Sequence, residues 1–233
     1  MANYARREPE AIAMKTQELL IEEALAPTVF IHIQKAADEL SLETYVIGGY
    51  VRDTFLDRQR GDDIDIVTVG SGISLAKKVA EILPGKNNIQ VFKNYGTAMI
   101  KWQNIQLEFV GARKESYDHE SRNPLVENGS LEDDQNRRDF TVNALAIKLN
   151  KEGFGRLLDP FNGMKDLNAK VLRTPLDPDI TYSDDPLRML RAVRFATQLD
   201  FSIDKASLLS IEKNKTRIDI LSKERIIDEV HKI

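Results

Sequence analysis

Asp63 and Asp65 bracket Ile64 just downstream of the string GGYVRD, in a run that alternates acidic and apolar residues as a β-strand does. Side chains two apart in a strand point to the same face, so Ile64 and Ile66 can enter a core while both carboxylates project together on the other side. Two like charges held that close repel. The arrangement is costly unless a cation sits between them, and hard divalent ions such as Mg2+ favour carboxylate oxygens completed by substrate phosphates. The pair points to a two-metal phosphoryl-transfer centre. The competing reading is a turn or a solvated sheet edge, where Asp-x-Asp arises by chance.

The flanking pattern predicts an α+β fold: a small mixed sheet with helices on one side, followed by an all-helical part. Val29 to Leu40 reads as a helix with Val29, Ile33, Ala36, Ala37 and Leu40 inward. It leads to a short strand, Tyr45 to Ile47, and then to Gly48 and Gly49, which let the backbone turn and approach a ligand closely. After the strand Asp63 to Val69 comes a helix from Ser74 to Leu83 with Ser74 as N-cap, then strands Ile89 to Phe92, Thr97 to Trp102 and Ile105 to Val110. Within the last of these Glu108 shares a face with Gln106 and Val110, opposite Leu107 and Phe109. Burying it unpaired would be expensive, so either an arginine neutralises it or it joins the aspartate pair as a third acidic group. Gly111 to Asn136 reads as a long, polar, irregular connection of the kind that is functional or mobile.

The C-terminal part reads as helical. Asp185 before Pro186 marks a helix start, as N-cap and first helical residue. Arg188, Arg191 and Arg194 recur at intervals of three beside Leu187, Leu190, Val193 and Phe195, forming an oblique basic stripe along an apolar one. One reading is a solvated, ion-paired face. Three arginines without a lysine favour the other, planar recognition of phosphate or base edges by a rigid guanidinium fork.

Charge and composition narrow the function classes. The formal net charge of -4 excludes a general polyanion binder, so any nucleic-acid contact has to come from a local basic patch. Without cysteine there is no disulfide, no thiolate nucleophile and no Cys-ligated zinc. No apolar run approaches the eighteen residues of a membrane span, and the start, with Arg6, Arg7, Glu8 and Glu10, lacks a signal peptide's apolar core. A cytoplasmic location without a membrane partner is the expectation.

GGYVRD, the Asp63-Ile64-Asp65 triplet, RRDFTVNALAI (Arg137 to Ile147), LLDPFNGMKDL (Leu157 to Leu167) and SDDPLRMLRAVRFA (Ser183 to Ala196) together resemble the successive motifs of class II tRNA nucleotidyltransferases and bacterial poly(A) polymerases, in the polymerase β superfamily. The resemblance runs from about Glu43 to beyond Phe201. It implies a nucleotidyltransferase head over residues 1–150 and a helical neck over 151–233. It also implies two Mg2+ ions held by Asp63 and Asp65, with Glu108 as the third strand carboxylate. Gly48, Gly49, Arg52 and Asp53 match the turn that holds the incoming triphosphate and ribose. Arg137, Arg138, Asp139 and Asn143 match the motif that contacts sugar and phosphates. Asp185 and Arg188 match the protein template that reads the base, with Arg191 and Arg194 as its supporting arginines.

That template is chemically reasonable. Cytosine and adenine both present an amino donor beside a ring-nitrogen acceptor, so a carboxylate can accept from the one while a guanidinium donates to the other. Uracil and guanine invert the pattern and leave two buried groups unpaired, at roughly 1 to 3 kcal/mol each. The resemblance thus implies template-independent addition of CMP and AMP from CTP and ATP to a tRNA 3' end, with CCA addition leading. The alternatives are an A-adding enzyme, a poly(A) polymerase, or a non-catalytic nucleotide- or RNA-binding module on the same fold. Two motifs depart from the family pattern: Asp184-Asp185 stands for Glu-Asp, and Phe161-Asn162-Gly163 for Phe-Gly-Gly, where Asn tolerates left-handed geometry. LSKERIIDEVHKI (Leu221 to Ile233) resembles part of the neck, where relatives continue into body and tail domains that hold tRNA.

Overall fold

In the computed structural model, which describes residues 8–56, 58, 61–116 and 125–233, two helices precede the first strand: α1 (Glu8–Leu25), which the sequence reading did not anticipate, and α2 (Val29–Glu39). Helix α2 buries Val29, Phe30, Ile33, Ala36 and Ala37 as its apolar spacing dictates, whereas Leu40 falls on the C-cap and is exposed. Strand β1 (Thr44–Ile47), helix α3 (Gly49–Phe55), strand β2 (Asp63–Thr68) and helix α4 (Gly72–Ile82) follow. The N-cap of α4 is Ser71, whose hydroxyl accepts from the Ser74 N–H at 3.2 Å, so Ser74 lies one turn inside the helix rather than at its start. The physical reason is close packing. A side chain at Gly72 would approach the Val110 carbonyl carbon to 2.7 Å, so glycine lets the helix begin directly against the sheet.

Strands β3 (Ile89–Phe92), β4 (Thr97–Trp102) and β5 (Ile105–Gly111) complete one edge of the sheet. The stretch expected to be irregular is instead largely regular. It contains the antiparallel pair β6 (Arg113–Ser116) and β7 (Leu125–Asn128), then α5 (Leu131–Asn136). In α5 the Ser130 and Asp133 side chains form a reciprocal capping box. Residues 117–124 of that stretch lie outside the described residues. Strands β8 (Ala146–Lys148) and β9 (Leu157–Leu158) then close the sheet, whose order is β3-β4-β5-β2-β1-β8-β9. Only β2 and β5 run parallel among these neighbours.

One face of this seven-stranded mixed sheet presents Val46, Ile64, Ile66, Ala98, Ile100, Leu107, Phe109 and Ile147 to α1 to α4, forming the main core. The other face is apolar only at one end, where Tyr45, Ile47, Val67 and Ala146 meet Ala112 and Leu131 of the short helix α5. At its other end the same face carries Asp63, Asp65 and Glu108, as the two-residue alternation requires.

Helix α6 (Gly163–Asn168), β10 (Val171–Leu172), α7 (Pro178–Asp184), α8 (Leu187–Leu199), β11 (Ser202–Ile203), α9 (Lys205–Asn214) and α10 (Lys223–Val230) make up the remainder. A second core of Phe140, Val142, Leu167, Leu172, Ala192, Phe195, Leu199 and Phe201 binds α8 to the segment before β8. Asn162, the departure from Phe-Gly-Gly, adopts the left-handed conformation (φ 58°), and the Asp159 carboxylate accepts from the Gly163 and Met164 N–H groups at 2.6 and 2.9 Å. A Cβ at Gly163 would lie 2.5 Å from the Thr141 carbonyl oxygen. Gly163→Ala is therefore expected to cost about 1–3 kcal/mol by overpacking. A melting curve should show it as a fall of about 3–10 °C in Tm, and an unchanged Tm would disprove the close contact. Among the described residues no helix is long and apolar enough to cross a membrane.

Candidate active site

Asp65 stands in register with Ile47 of β1 on one side and Glu108 of β5 on the other. The sheet thus supplies the convergence of Asp63, Asp65 and Glu108 that the alternation implied. No hydrogen bond or ion pair joins any of the three to a basic side chain among the described residues, although the Arg138 charge acts on Asp65 and the Arg113 charge on Glu108. Burial pushes the Asp65 carboxyl above its ordinary value; Arg138 opposes this, while the Asp63 and Asp134 charges add to it. Glu108 is exposed as a whole, yet desolvation at its carboxyl and then the Asp65 charge push it up too, against the Arg113 charge.

Carboxylates that raise one another's proton affinity repel, and a hard cation between them would relieve that repulsion. Among the described residues no group of three or more acidic, histidine or cysteine side chains is arranged so that it could hold a metal ion by itself.

Beside this acidic face opens a cavity of about 390 Å³ lined by Gly48, Gly49, Arg52, Asp65, Arg137, Arg138, Asp139, Asn143, Arg188, Arg191 and Phe195. Five arginines against two aspartates make it the basic patch that the net charge required. Topology brings these residues together. Strand β8 lies antiparallel to β1, with Ala146 opposite Ile47, so the segment leading into β8 has to sit beside the turn leaving β1. Gly48 at that turn has φ 84°, and a Cβ there would meet Arg138 Nη1 at 3.2 Å and Asp65 Oδ2 at 3.3 Å. Glycine is required both by the conformation and by the space that keeps the cavity open.

A hydrogen-bonded chain holds the cavity wall. Arg52 donates through Nε and Nη2 to the Asp53 carboxylate (2.8 and 2.9 Å) and through Nη1 to Asn143 Oδ1 (2.7 Å). Asn143 Nδ2 donates to Asp139 Oδ1 (3.0 Å), and Arg191 Nε and Nη2 donate to Asp139 Oδ2 (2.7 and 2.6 Å). Burial alone would raise the Asp139 carboxyl, but the Arg191 charge, the Asn143 hydrogen bond and Arg188 outweigh it and hold it below its ordinary value. The Arg188 guanidinium donates to the Arg137 and Thr181 carbonyls at 2.6 and 3.3 Å.

Five sequence-predicted residues lie outside the cavity wall: Asp63 and Glu108 stand on the sheet beside it, and the other three are Asp53, Asp185 and Arg194. Asp53 is occupied in orienting Arg52. Asp185 accepts from the Leu187 N–H at 3.2 Å, but it closes α7, and the N-cap of α8 is Pro186, one residue later than the sequence pattern placed it, because the proline backbone already has helical geometry. Arg194 turns away to Glu229 of α10 at 2.6 Å, because an interval of three drifts around a helix and places the third arginine past the cavity.

Two contributors were not singled out from sequence. Asp134 is fully buried and accepts from both Arg137 and Arg138, its contact to Arg137 Nη2 being the shortest. Its position three and four residues before those arginines is the signal that could have found it. Phe195 carries the guanidinium carbons of Arg52, Arg191 and Arg194 at 5.2, 5.1 and 4.2 Å from its ring centroid, cation–π contacts that spacing alone could not reveal.

Two family models match the chain: "Poly A polymerase head domain" over residues 44–173, and "Probable RNA and SrmB- binding site of polymerase A" over residues 200–233. The A-adding tRNA nucleotidyltransferase of Aquifex aeolicus is 40% identical over 191 residues, covering 81% of this chain and 23% of its own length. A tRNA nucleotidyltransferase solved with a primer tRNA and an incoming ATP analog aligns with TM-score 0.74 and 35% identity, covering 85% of this chain and 55% of its own. A CCA-adding enzyme solved with CTP aligns with TM-score 0.76 and 30% identity, covering 90% and 48%. The chain thus spans from about a quarter to about half of the length of these relatives.

Proposed function

This chain belongs to the poly A polymerase head-domain family, that of class II tRNA nucleotidyltransferases and bacterial poly(A) polymerases, and on that premise we propose that it transfers CMP and AMP from CTP and ATP to the 3' end of tRNA. The observation that carries this reading is the five-arginine cavity opening directly onto Asp65, with Asp63 and Glu108 on the same face of the sheet. Arg52, Arg137, Arg138 and Arg191 bind the triphosphate, since a guanidinium fork matches phosphate oxygens. Asp139 and Asn143 keep Arg52 and Arg191 at fixed angles and offer polar atoms to the ribose. Bound Mg2+, held by Asp63 and Asp65, would help activate the RNA 3'-hydroxyl and offset the charge of the leaving pyrophosphate. Glu108 contributes the third carboxylate beside Asp65.

Arg188 faces the cavity with its guanidinium fixed by two backbone carbonyls, which supports its role in reading the base. Asp185, one turn earlier, is the proposed acceptor for the base's amino group. Arg188→Gln is expected to narrow the preference for ATP over UTP by about 5- to 100-fold, the equivalent of one buried polar mismatch. The comparison is of kcat/KM for the two triphosphates. A uniform loss with an unaltered ratio would remove Arg188 from base selection.

The main test incubates the chain, Mg2+ and a tRNA trimmed at its 3' end with each labelled NTP, then with CTP and ATP together. Ordered C, C, A addition supports the reading. The Aquifex relative's name favours a second one, in which only the terminal A is added; incorporation of AMP onto tRNA ending in CC, with no CMP incorporation, would establish it. Long A-tails would indicate a poly(A) polymerase, and no incorporation with retained RNA binding a non-catalytic module.

A further inference from the structure

We propose that a second cavity, on the β5 side of the acidic strand pair, seats the 3'-terminal nucleotide of the RNA acceptor with its base stacked on Tyr95. The inference rests on the nucleotidyltransferase reading and adds to it a seat for the acceptor strand. The cavity measures about 440 Å³ and is lined by Phe92, Tyr95, Thr97, Met99, Glu108 and Arg113. Tyr95 is 73% exposed and Phe92 43% exposed, an unusual pair of rings to leave in water beside a carboxylate. Both belong to the connection between β3 and β4. Phe92 ends β3, and Tyr95 closes a single 3-10 turn (Lys93–Tyr95) that is stopped by Gly96 at φ 66°. The backbone, not neighbouring side chains, therefore presents the tyrosine ring.

The strand register supplies the geometric argument. Met99 lies opposite Glu108, Glu108 opposite Asp65, and Asp65 opposite Ile47, which leads into Gly48. The arginine-rich cavity thus lies on the β1 side of the carboxylates and the aromatic cavity on the β5 side. Phosphoryl transfer needs the attacking and leaving oxygens roughly in line, on opposite sides of the phosphorus. With the triphosphate held by arginines on one side, the attacking hydroxyl arrives from the other, where the rings are. A ring that stacks on a nucleobase accepts any base, since every base has a π-face; this suits an acceptor end whose last residue changes as it grows. Besides Met99 the rings are bounded by a carboxylate, an arginine and a threonine, a mixed polar lining that favours a stacked base over an apolar protein segment.

The test replaces the acceptor's terminal base with 2-aminopurine, whose fluorescence is quenched by stacking, and compares the full chain with Tyr95→Ala and Tyr95→Phe. Quenching by the parent and by Tyr95→Phe, but not by Tyr95→Ala, is expected. In steady-state incorporation, Tyr95→Ala should raise KM for the RNA acceptor about tenfold and leave KM for ATP and the melting temperature unchanged. Equal quenching by Tyr95→Ala and the parent would overturn the proposal, as would a rise in KM for ATP instead, which would place the incoming base there. A patch used by a protein partner would leave both readouts unmoved. Quenching by a parent chain that incorporates no nucleotide would sink the enzymatic reading and leave the RNA seat standing.

Discussion

Asp65→Asn should abolish nucleotide incorporation while leaving a protein at least as heat-stable as the parent. The first half follows from the placement of Asp65, which alone among the three face carboxylates also lines the arginine cavity. Charge stabilisation in a metal-assisted phosphoryl transfer is worth several kcal/mol, and each 1.36 kcal/mol is a factor of ten, so a fall of about 10³-fold or more in kcat is expected. The second half follows from the sign of its perturbation. Burial, with Asp63 and Asp134 nearby, raises the folded-state pKa of Asp65 above its unfolded value. Such a carboxylate costs stability as pH rises past its unfolded pKa, and the cost grows until pH has passed the folded-state value. Replacing it with a neutral isostere removes that cost. Single-turnover incorporation and a melting curve on the same sample decide the matter. Activity within tenfold of the parent would exclude Asp65 from the reaction, and a lowered Tm would show that the acidic cluster is structural.

Asp134→Ala should be the most damaging single substitution for stability. Its carboxylate is completely buried between Arg137 and Arg138, and deleting one partner of a buried ionic cluster costs about 3–5 kcal/mol. For a chain of this size that lowers Tm by about 10 °C. Because both arginines face the cavity, KM for ATP should rise as well. The half-buried neighbour Asp133 is the control, since Asp133→Ala removes only one half of a capping box, worth about 1 kcal/mol. The pH dependence gives a separate handle. Burial would raise the Asp134 carboxyl, but Arg138 and Arg137 outweigh it and hold it low; Asp139 is held low in the same way. A depressed folded-state pKa stabilises fully above the unfolded value and is lost as pH falls through the folded one. The parent should therefore lose stability steeply on acidification, and Asp134→Ala should flatten that limb. A variant with an unchanged Tm and an unchanged acid limb would show that the two arginines do not depend on this carboxylate.

Periodicity predicts elements well where one face of a segment is apolar, as in α2 and in the strands around Asp63 and Glu108, because the hydrophobic spacing is itself the cause of the structure. It failed at the start of α4, where close packing of Gly72 on β5 lets the helix begin earlier than the serine pattern implied. It failed again between Gly111 and Asn136, where much of the polar stretch forms β6, β7 and a capped α5. Polar residues can build regular structure when pairing and caps satisfy the backbone, and composition does not register that. The same limit applies to the arginine stripe of α8: its spacing is visible in the sequence, but only packing against Phe140 and Glu229 decides that Arg188 and Arg191 face the cavity and Arg194 does not.

What the chain's order of residues determined alone is local: that Asp63 and Asp65 share a face, that Gly48 can turn, and that Asn162 can adopt a left-handed conformation. Each depends on neighbours within a few residues, so near-range sterics and hydrogen bonding suffice. The folded chain decided which distant groups meet: Glu108 beside Asp65 through parallel pairing of β2 with β5, Arg138 beside Gly48 through the return of β8 to β1, and Asp134 beneath two arginines. Those contacts depend on strand order and burial, free-energy terms of the whole domain that no local window of sequence contains.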